Sequence, residues 1–470
     1  MKVTRDGFKD RQLHMEDYLQ MVSAKQKENA EVSVYQRITE NNDIITNFWT
    51  DNLLELILQK DNLNKAYKKV KSNKGKGGID GMQVDRLLPY LREHQSEIVR
   101  QIREGKYKPN PVRGVEIPKE EKGKIRKLGI PTVADRVIQQ AIPQELTALF
   151  EPQISDGSYG FRPGRGQHDA LKACKRNVEE GYSYVVSMDL EKFFDTVNHS
   201  KLIETLSRTI KDGRVKSLIH KYLNAGMVQN GYFEKTQEGV PQGGPLSPLC
   251  GNVILNELDK ELERRGHRFV RYADDAIIFC RSRRSAQRTL EKIIPYIEGK
   301  LYLKVNRAKT KVTHISRKKY LGYAFYRNRG KCRYRIAPET VRKMKDRLRE
   351  MTQKNKGWSN ACRRQKLETY VRGWINYYKL ADMKRLMTET DEWLRRRIRA
   401  VYWKQWKKIK TRYRNLGALK LEEWQVHQLA NSRKGYWRTA KMLNIALTNK
   451  VIARLGYIGM SDYYLKVCEN

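Results

Sequence analysis

Residues 269–280 read FVRYADDAIIFC: two short apolar runs, Phe269 to Ala273 and Ala276 to Cys280, separated only by Asp274 and Asp275. Runs rich in β-branched and aromatic residues and bounded by acid or glycine form strands, and a two-residue gap leaves room only for a tight hairpin turn. The chain must therefore hold an antiparallel pair whose turn carries carboxylates. A third run of the same kind, Tyr184 to Met188 (YVVSM), ends directly on Asp189. From the glycine-rich cluster at Lys71 to Gly81 (KSNKGKGGIDG), which a continuous helix does not tolerate, to about Ala324, such strands alternate with segments of helical period. That alternation defines an α+β domain or a mixed sheet. Past about residue 327 it gives way to long basic stretches bearing tryptophan, the pattern of an α-helical region.

Charge narrows the choice of partner. The 470 residues include 95 Lys and Arg against 53 Asp and Glu, a formal net charge of +42, far beyond what solubility needs and suited to a polyphosphate. The first fifty residues, with seven basic and eight acidic side chains, do not share in this excess and read as an appendage. A membrane-surface protein of similar charge would set its basic stretches opposite apolar faces; here they interleave with aromatics instead. No apolar run approaches the roughly eighteen residues of a membrane span, and the opening MKVTRDGFKD lacks the core of a signal peptide. A cytosolic protein with no membrane partner is expected. The six cysteines contain no C-x-x-C pair, which points to reduced packing residues rather than a zinc knuckle or a disulfide framework.

Asp189 at the end of one strand and Asp274 and Asp275 in a hairpin turn suggest phosphoryl transfer. Two divalent ions roughly 3.5 to 4 Å apart, one activating a 3′ hydroxyl and one holding a triphosphate, need carboxylates that converge from adjacent strands. Mg2+ suits such a site because it takes hard oxygen ligands and keeps places for water and phosphate. Mn2+ is the expected substitute. Alone, an Asp-Asp pair in a turn is ordinary turn chemistry; the blocks around it reverse that reading. They are LGIPTVADRVIQQA from 128, YGFRP from 159, MDLEKFFDTVNH from 188, GVPQGGPLSPLCGNVILNELD from 239, RYADD from 271, LKVNRAKTKV from 303 and YLGYAF from 320.

In that order these blocks resemble the reverse transcriptases of group II introns, and the resemblance runs from about residue 51 to the C-terminus. It implies a right-hand polymerase, with fingers and a palm built on a mixed or antiparallel sheet, a helical thumb and a small basic C-terminal domain. It implies that Asp189, Asp274 and Asp275 are the catalytic triad, with the Leu190 backbone carbonyl a further metal ligand and Asp195 structural, at a helix N-terminus. The fingers block containing IPK puts the grip on the incoming triphosphate at Arg113, Lys119 and Arg126. Arg offers bidentate hydrogen bonds and Lys a compact charge, both strengthening as the pyrophosphate leaves. Phe194 matches the aromatic beneath the sugar that leaves no room for a 2′ hydroxyl, while Phe193 is expected in the core. Gln242 would contact nucleotide or template, with Gly243 and Gly244 permitting close approach. Lys309 either reaches the primer end and the phosphates or is an exposed helix lysine.

Residues 393–414 hold ten Lys or Arg, five Trp or Tyr and no acid, a combination fitted to phosphates and unpaired bases. Arg395, Arg396, Arg397, Trp403, Trp406, Lys407 and Lys408 are the candidate RNA- or DNA-contacting residues, with Trp393, Trp403 and Trp406 expected to divide between stacking and packing. VRGWINYYKL from 371 resembles the maturase-specific thumb, and NSRKGYWRTA with SDYY resembles the small DNA-binding domain of the same family. With no paired cysteines near its end, the chain resembles the bacterial group IIC-like class that lacks an endonuclease module. The expected division is an appendage over 1–50, fingers and palm over 51–326, thumb over 327–405 and a DNA-binding domain over 406–470. The implied partners are the parent intron RNA, target DNA and primer, and deoxynucleoside triphosphates, for an enzyme that copies intron RNA and assists its splicing. Two alternatives are a splicing-only maturase with a vestigial polymerase site, and a reverse transcriptase serving phage defence or gene diversification. The complete aspartate set speaks against the first, and the GWINYYKL and PQGGPLSP blocks against the second.

Overall fold

The computed structural model describes residues 52–118, 123 and 125–469. The 1–50 appendage and Lys119 lie outside the described residues. The chain divides into two compact units, the first ending at Ile315 and the second beginning at Ser316.

In the first unit the strands are β1 (Val112–Pro118), β2 (Ile125–Ile130), β3 (Tyr184–Met188), β4 (Met227–Gln229), β5 (Tyr232–Glu234), β6 (Arg268–Tyr272), β7 (Asp275–Cys280) and β8 (Lys311–His314). They form two sheets of four, ordered β2-β1-β4-β5 and β6-β7-β3-β8. The first is mixed, because β1 runs parallel to β4; every pairing in the second is antiparallel. Alternation along the second sheet turns Val186, Met188, Ala276 and Ile278 into the principal core. Helix Arg283–Lys300 packs on β3, β7 and β8, and helices Gln167–Glu179 and Ser247–Arg264 pack against β6.

The hairpin forms where expected but sits one residue earlier. Tyr272 pairs with Asp275, so the turn consists of Ala273 and Asp274, and Asp275 already belongs to β7. Ala273 takes the left-handed conformation, φ 56°, that glycine would accept at no steric penalty.

The second unit opens with β9 (Lys319–Tyr320), β10 (Tyr323–Asn328) and β11 (Lys331–Ile336), an antiparallel sheet in the order β11-β10-β9. This corrects the expectation of helix from residue 327, a position that falls inside β10. β11 alternates strictly, with Cys332, Tyr334 and Ile336 buried and Lys331, Arg333 and Arg335 exposed. Helices follow from Pro338–Met351 onward, including Asn360–Tyr378, Lys384–Gln405, Ile409–Gly417 and Tyr436–Met442. The basic stretch 393–414 is therefore two helices, broken at Trp406. Among the described residues no helix is long and apolar enough to cross a membrane. Cys174, Cys250, Cys280 and Cys332 are buried thiols, as packing residues should be, whereas Cys468 is exposed.

Candidate active site

β3 and β7 pair antiparallel with Met188 opposite Ala276, and one further step along that register sets Asp189 opposite Asp275. Cross-strand partners share a face, so the two carboxylates project together, on the side away from Val186, Met188, Ala276 and Ile278. Asp274 lies next door in the turn. Its surface is open, yet protein atoms crowd around it and raise its carboxyl pKa above the ordinary range. The negative charge of Asp189 adds to that rise, while Arg126 and Arg271 oppose it.

The backbone beyond Asp189 is tied to the β8 side of the sheet. Thr310 Oγ1 accepts from Asp189 N at 3.1 Å, Asp189 O accepts from Asn306 N at 2.9 Å, and Glu191 N donates to Lys304 O at 2.8 Å. These bonds flank the bridge between Leu190 and Val305 and use neither polar group of Leu190. Alternation along an extended chain then turns the Leu190 carbonyl to the opposite side, that of β7 and its aspartates. Carboxylates and a backbone carbonyl are hard oxygen donors of the kind a divalent cation takes, although among the described residues no three ligating side chains stand close enough together to hold a metal ion.

A second group of residues, not foreseen from the sequence, holds the hairpin in place. Arg271 and Asp259 are fully buried and ion-paired, with Arg271 Nε 2.8 and 3.0 Å from the two carboxylate oxygens. Arg271 Nη1 donates to Asn252 Oδ1 at 3.2 Å and to Ala273 O at 3.0 Å, clamping the strained turn residue from within. Asn252 Nδ2 donates to Gly160 O at 2.8 Å. A side chain at Gly160 would meet Ala273 N at 2.3 Å, so the YGFRP block is a backbone buttress for the hairpin. The sequence signal for this was the Arg inside an otherwise apolar strand.

On β1 and β2, Arg113 pairs with Ile130 and Ile117 with Arg126, which puts Arg113 and Arg126 on the same sheet face. Burial leaves Arg113 Nε without a hydrogen-bond partner among the described residues. Phe193 is buried and Phe194 partly exposed, their rings 4.9 Å apart. Gln242 Nε2 donates to Asp195 Oδ1 at 3.2 Å, and Gln242 O accepts from Gly129 N at 2.8 Å. Asp195 is not at a helix N-terminus, since Asn198 caps the following helix; its carboxylate holds Gln242 instead. Gly243 has φ 118°, and a side chain there would come within 3.0 Å of Gly129 O, so the PQGG turn rests on the β2 backbone. Lys309 is exposed in a turn, not on a helix, next to the Thr310 that binds Asp189.

The basic helices call for a larger correction. Trp403 and Trp406 are 2% and 9% exposed and pack the second unit, so neither presents a face to a base. Arg412 covers the Trp403 ring at 4.2 Å. Arg397 donates to Thr352 Oγ1 at 2.6 Å and to Arg349 O at 3.1 Å, and Arg396 donates to Trp437 O at 2.9 Å. Arg395 lies 3.7 Å from Asp391. Among the seven candidates, Lys407 and Lys408 are exposed, because the chain leaves the helix just before them.

The structure thus sets Asp189 opposite Asp275 at the end of an antiparallel sheet, with Asp274 in the adjoining turn, in a unit that also holds a β-hairpin bearing Arg113 and Arg126. Residues 117–325 match the model of the reverse transcriptase (RNA-dependent DNA polymerase) family, and residues 341–419 that of the group II intron maturase-specific domain. Group II intron-encoded protein LtrA of Lactococcus lactis is 31% identical over 357 residues, covering 62% of this chain and 59% of LtrA. Protein YkfC of Escherichia coli is 32% identical over 304 residues, covering 56% of this chain and 80% of YkfC. The chain belongs to the family of group II intron-encoded reverse transcriptases with a maturase domain. Enzymes of the reverse transcriptase family work with divalent metal ions. The matched region spans about three-fifths of LtrA's length.

Proposed function

We propose that this protein is an RNA-directed DNA polymerase that copies its parent intron RNA and, through its maturase domain, binds that RNA to assist splicing. The observation that carries this reading is the register that sets Asp189 opposite Asp275, with Asp274 beside them. Asp189, Asp274, Asp275 and the Leu190 carbonyl would hold two Mg2+ ions, or Mn2+ in their place. Bound there, such ions supply the activated 3′ hydroxyl and neutralise charge on the leaving pyrophosphate. Arg113 and Arg126, on one face of the β1–β2 hairpin, bind the triphosphate of the incoming deoxynucleotide, and the partnerless Arg113 Nε supports that role. Gln242, held by Asp195, faces nucleotide or template, and Lys309 reaches the primer end. Target DNA and primer complete the set of partners, in the cytosol, with the thumb assigned to 327–405 and a DNA-binding domain to 406–470.

The direct test is extension of a DNA primer on an RNA template by the purified chain. No deoxynucleotide-dependent product in either Mg2+ or Mn2+, with tight intron RNA binding retained, would leave only the splicing factor.

Phe194 supplies the sugar choice in this reading, because its partly exposed ring occupies the space a 2′ hydroxyl would need. Phe194→Ala is expected to raise ribonucleotide incorporation, measured as the ratio of rNTP to dNTP use. Phe193→Ala, by contrast, empties a core position and is expected to lower stability by about 3–5 kcal/mol. Increased ribonucleotide use in the Phe193 variant alone would reverse the assignment.

For RNA affinity the exposed pair is decisive. Replacing Lys407 and Lys408 with Gln is expected to flatten the log-log salt dependence of intron RNA binding by up to about 0.7 per lost phosphate contact, with little change in fold. An unchanged slope in a filter-binding titration would place that corner away from RNA.

A further inference from the structure

The second unit contains a cavity of about 460 Å3 whose lining includes Thr352, Gln353, Lys354, Arg397, Tyr436 and Trp437. Its volume falls in the range of small-ligand sites, roughly 300–1,000 Å3. Tyr436 and Trp437 begin the helix Tyr436–Met442. Lys354 Nζ stands 4.2 Å and Lys404 Nζ 5.2 Å from the Tyr436 ring centroid, and the Arg396 guanidinium lies 4.0 Å from that of Trp437. Trp437 nevertheless remains 42% exposed. Burial pulls the Arg397 pKa down, and the guanidinium is held by Thr352 Oγ1 and the Arg349 carbonyl.

Counter-charge is what these groups lack. Some exposed cations of this unit pair with carboxylates, as Arg372 does with Glu368 and Arg385 with Glu389, while others such as Lys407 and Lys408 do not. Lys354, Arg396, Arg397 and Lys404 have no carboxylate partner among the described residues; their contacts are with rings, a hydroxyl and carbonyls. Internal cation–π packing explains the two covered rings but leaves Lys354 and Arg397, the two cations that line the cavity, without a carboxylate partner. The complementary ligand carries a negative charge and a flat π surface in one small body, and a nucleotide has both.

We infer that this cavity is a subsite for one unpaired nucleotide of a bound strand, its base against Tyr436 and Trp437 and its phosphate at Lys354. The inference rests on the proposed function only for the presence of a nucleic acid strand. It accounts for an exposed tryptophan beside an exposed lysine at one cavity, on a helix that opens with two aromatics.

The test uses the full chain with two twelve-nucleotide single strands, an RNA carrying one 4-thiouridine and a DNA carrying one 4-thiothymidine. Ultraviolet cross-linking and peptide mapping are expected to find an adduct on Tyr436 or Trp437. An adduct with RNA, with DNA or with both supports the subsite and names its strand. Trp437→Ala is expected to weaken binding of that strand by about 5- to 100-fold, the loss of one stacked base, while Trp437→Phe retains most of the affinity. Lys354→Gln, a change remote from the fold's core, is expected to reduce the salt slope by up to about 0.7. No adduct at these residues on either strand, or wild-type affinity and slope in both Trp437→Ala and Lys354→Gln, overturns the subsite. Primer extension on a saturating primer–template reports separately: its absence in the wild-type chain sinks the polymerase reading while the adduct map still decides the subsite.

Discussion

Asp274→Asn is expected to reduce primer extension by on the order of 10³-fold or more while intron RNA binding stays within a few-fold of wild type. In the proposed site the substitution removes one charged oxygen ligand. Stabilisation of the transferring phosphoryl group by metal is worth several kcal/mol, and about 1.4 kcal/mol corresponds to each tenfold in rate. The amide is nearly isosteric and sits in an open turn, so the fold around it should persist. A formal charge of +42 loses nothing by the change, which is why binding and copying should separate. Single-turnover extension on a saturating RNA template gives the first quantity and equilibrium RNA titration the second. Near-normal extension would remove Asp274 from the catalytic set.

Asp259→Ala is expected to destabilise the first unit by about 3–5 kcal/mol, because it strands the Arg271 guanidinium in the interior without its partner. Native-state amide exchange over β6 and β7 measures this locally, in a chain whose two units need not unfold together. The informative variant is the double one. Arg271→Met with Asp259→Leu removes both buried charges, and such replacements are often neutral or stabilising. It also deletes the bond from Arg271 to the Ala273 carbonyl. Stability should therefore return while primer extension stays impaired, since nothing then clamps the turn that aims Asp274. Full recovery of both would reduce the pair to a packing feature. Failure to regain stability would show that the bonds to Asn252 and Ala273, rather than the ion pair, hold the hairpin.

Much of the catalytic arrangement was legible because it is local. YVVSM and FVRYADDAIIFC declare strands by composition, and the two-residue gap dictates a hairpin whatever the rest of the chain does. The placement of the turn was missed by one residue, since pairing of Tyr272 with Asp275 is a property of two strands meeting. β11 was legible and overlooked: KCRYRI alternates perfectly, but its three cations resemble the basic helices that follow. Lys309 was assigned a helical alternative from its basic neighbours, yet Asn306 accepts from the Lys309 and Thr310 backbone amides and closes a turn there.

The sequence by itself pointed to the reaction class through its ordered blocks, which resemble those of group II intron reverse transcriptases; an acidic pair in a turn is by itself ordinary turn chemistry. Only the tertiary structure decided which basic and aromatic residues are available to a ligand. Composition counts Trp403, Trp406 and Arg397 as nucleic-acid contacts, but packing buries the two indoles and ties the guanidinium to Thr352 and Arg349. The same holds for the groups that aim the catalytic turn: Asn252 and Gly160 are separated by 92 residues and meet through one hydrogen bond. Periodicity reports what a residue does within its own strand or helix, whereas burial and long-range hydrogen bonding depend on which element packs against it, and that is set only when the chain has folded.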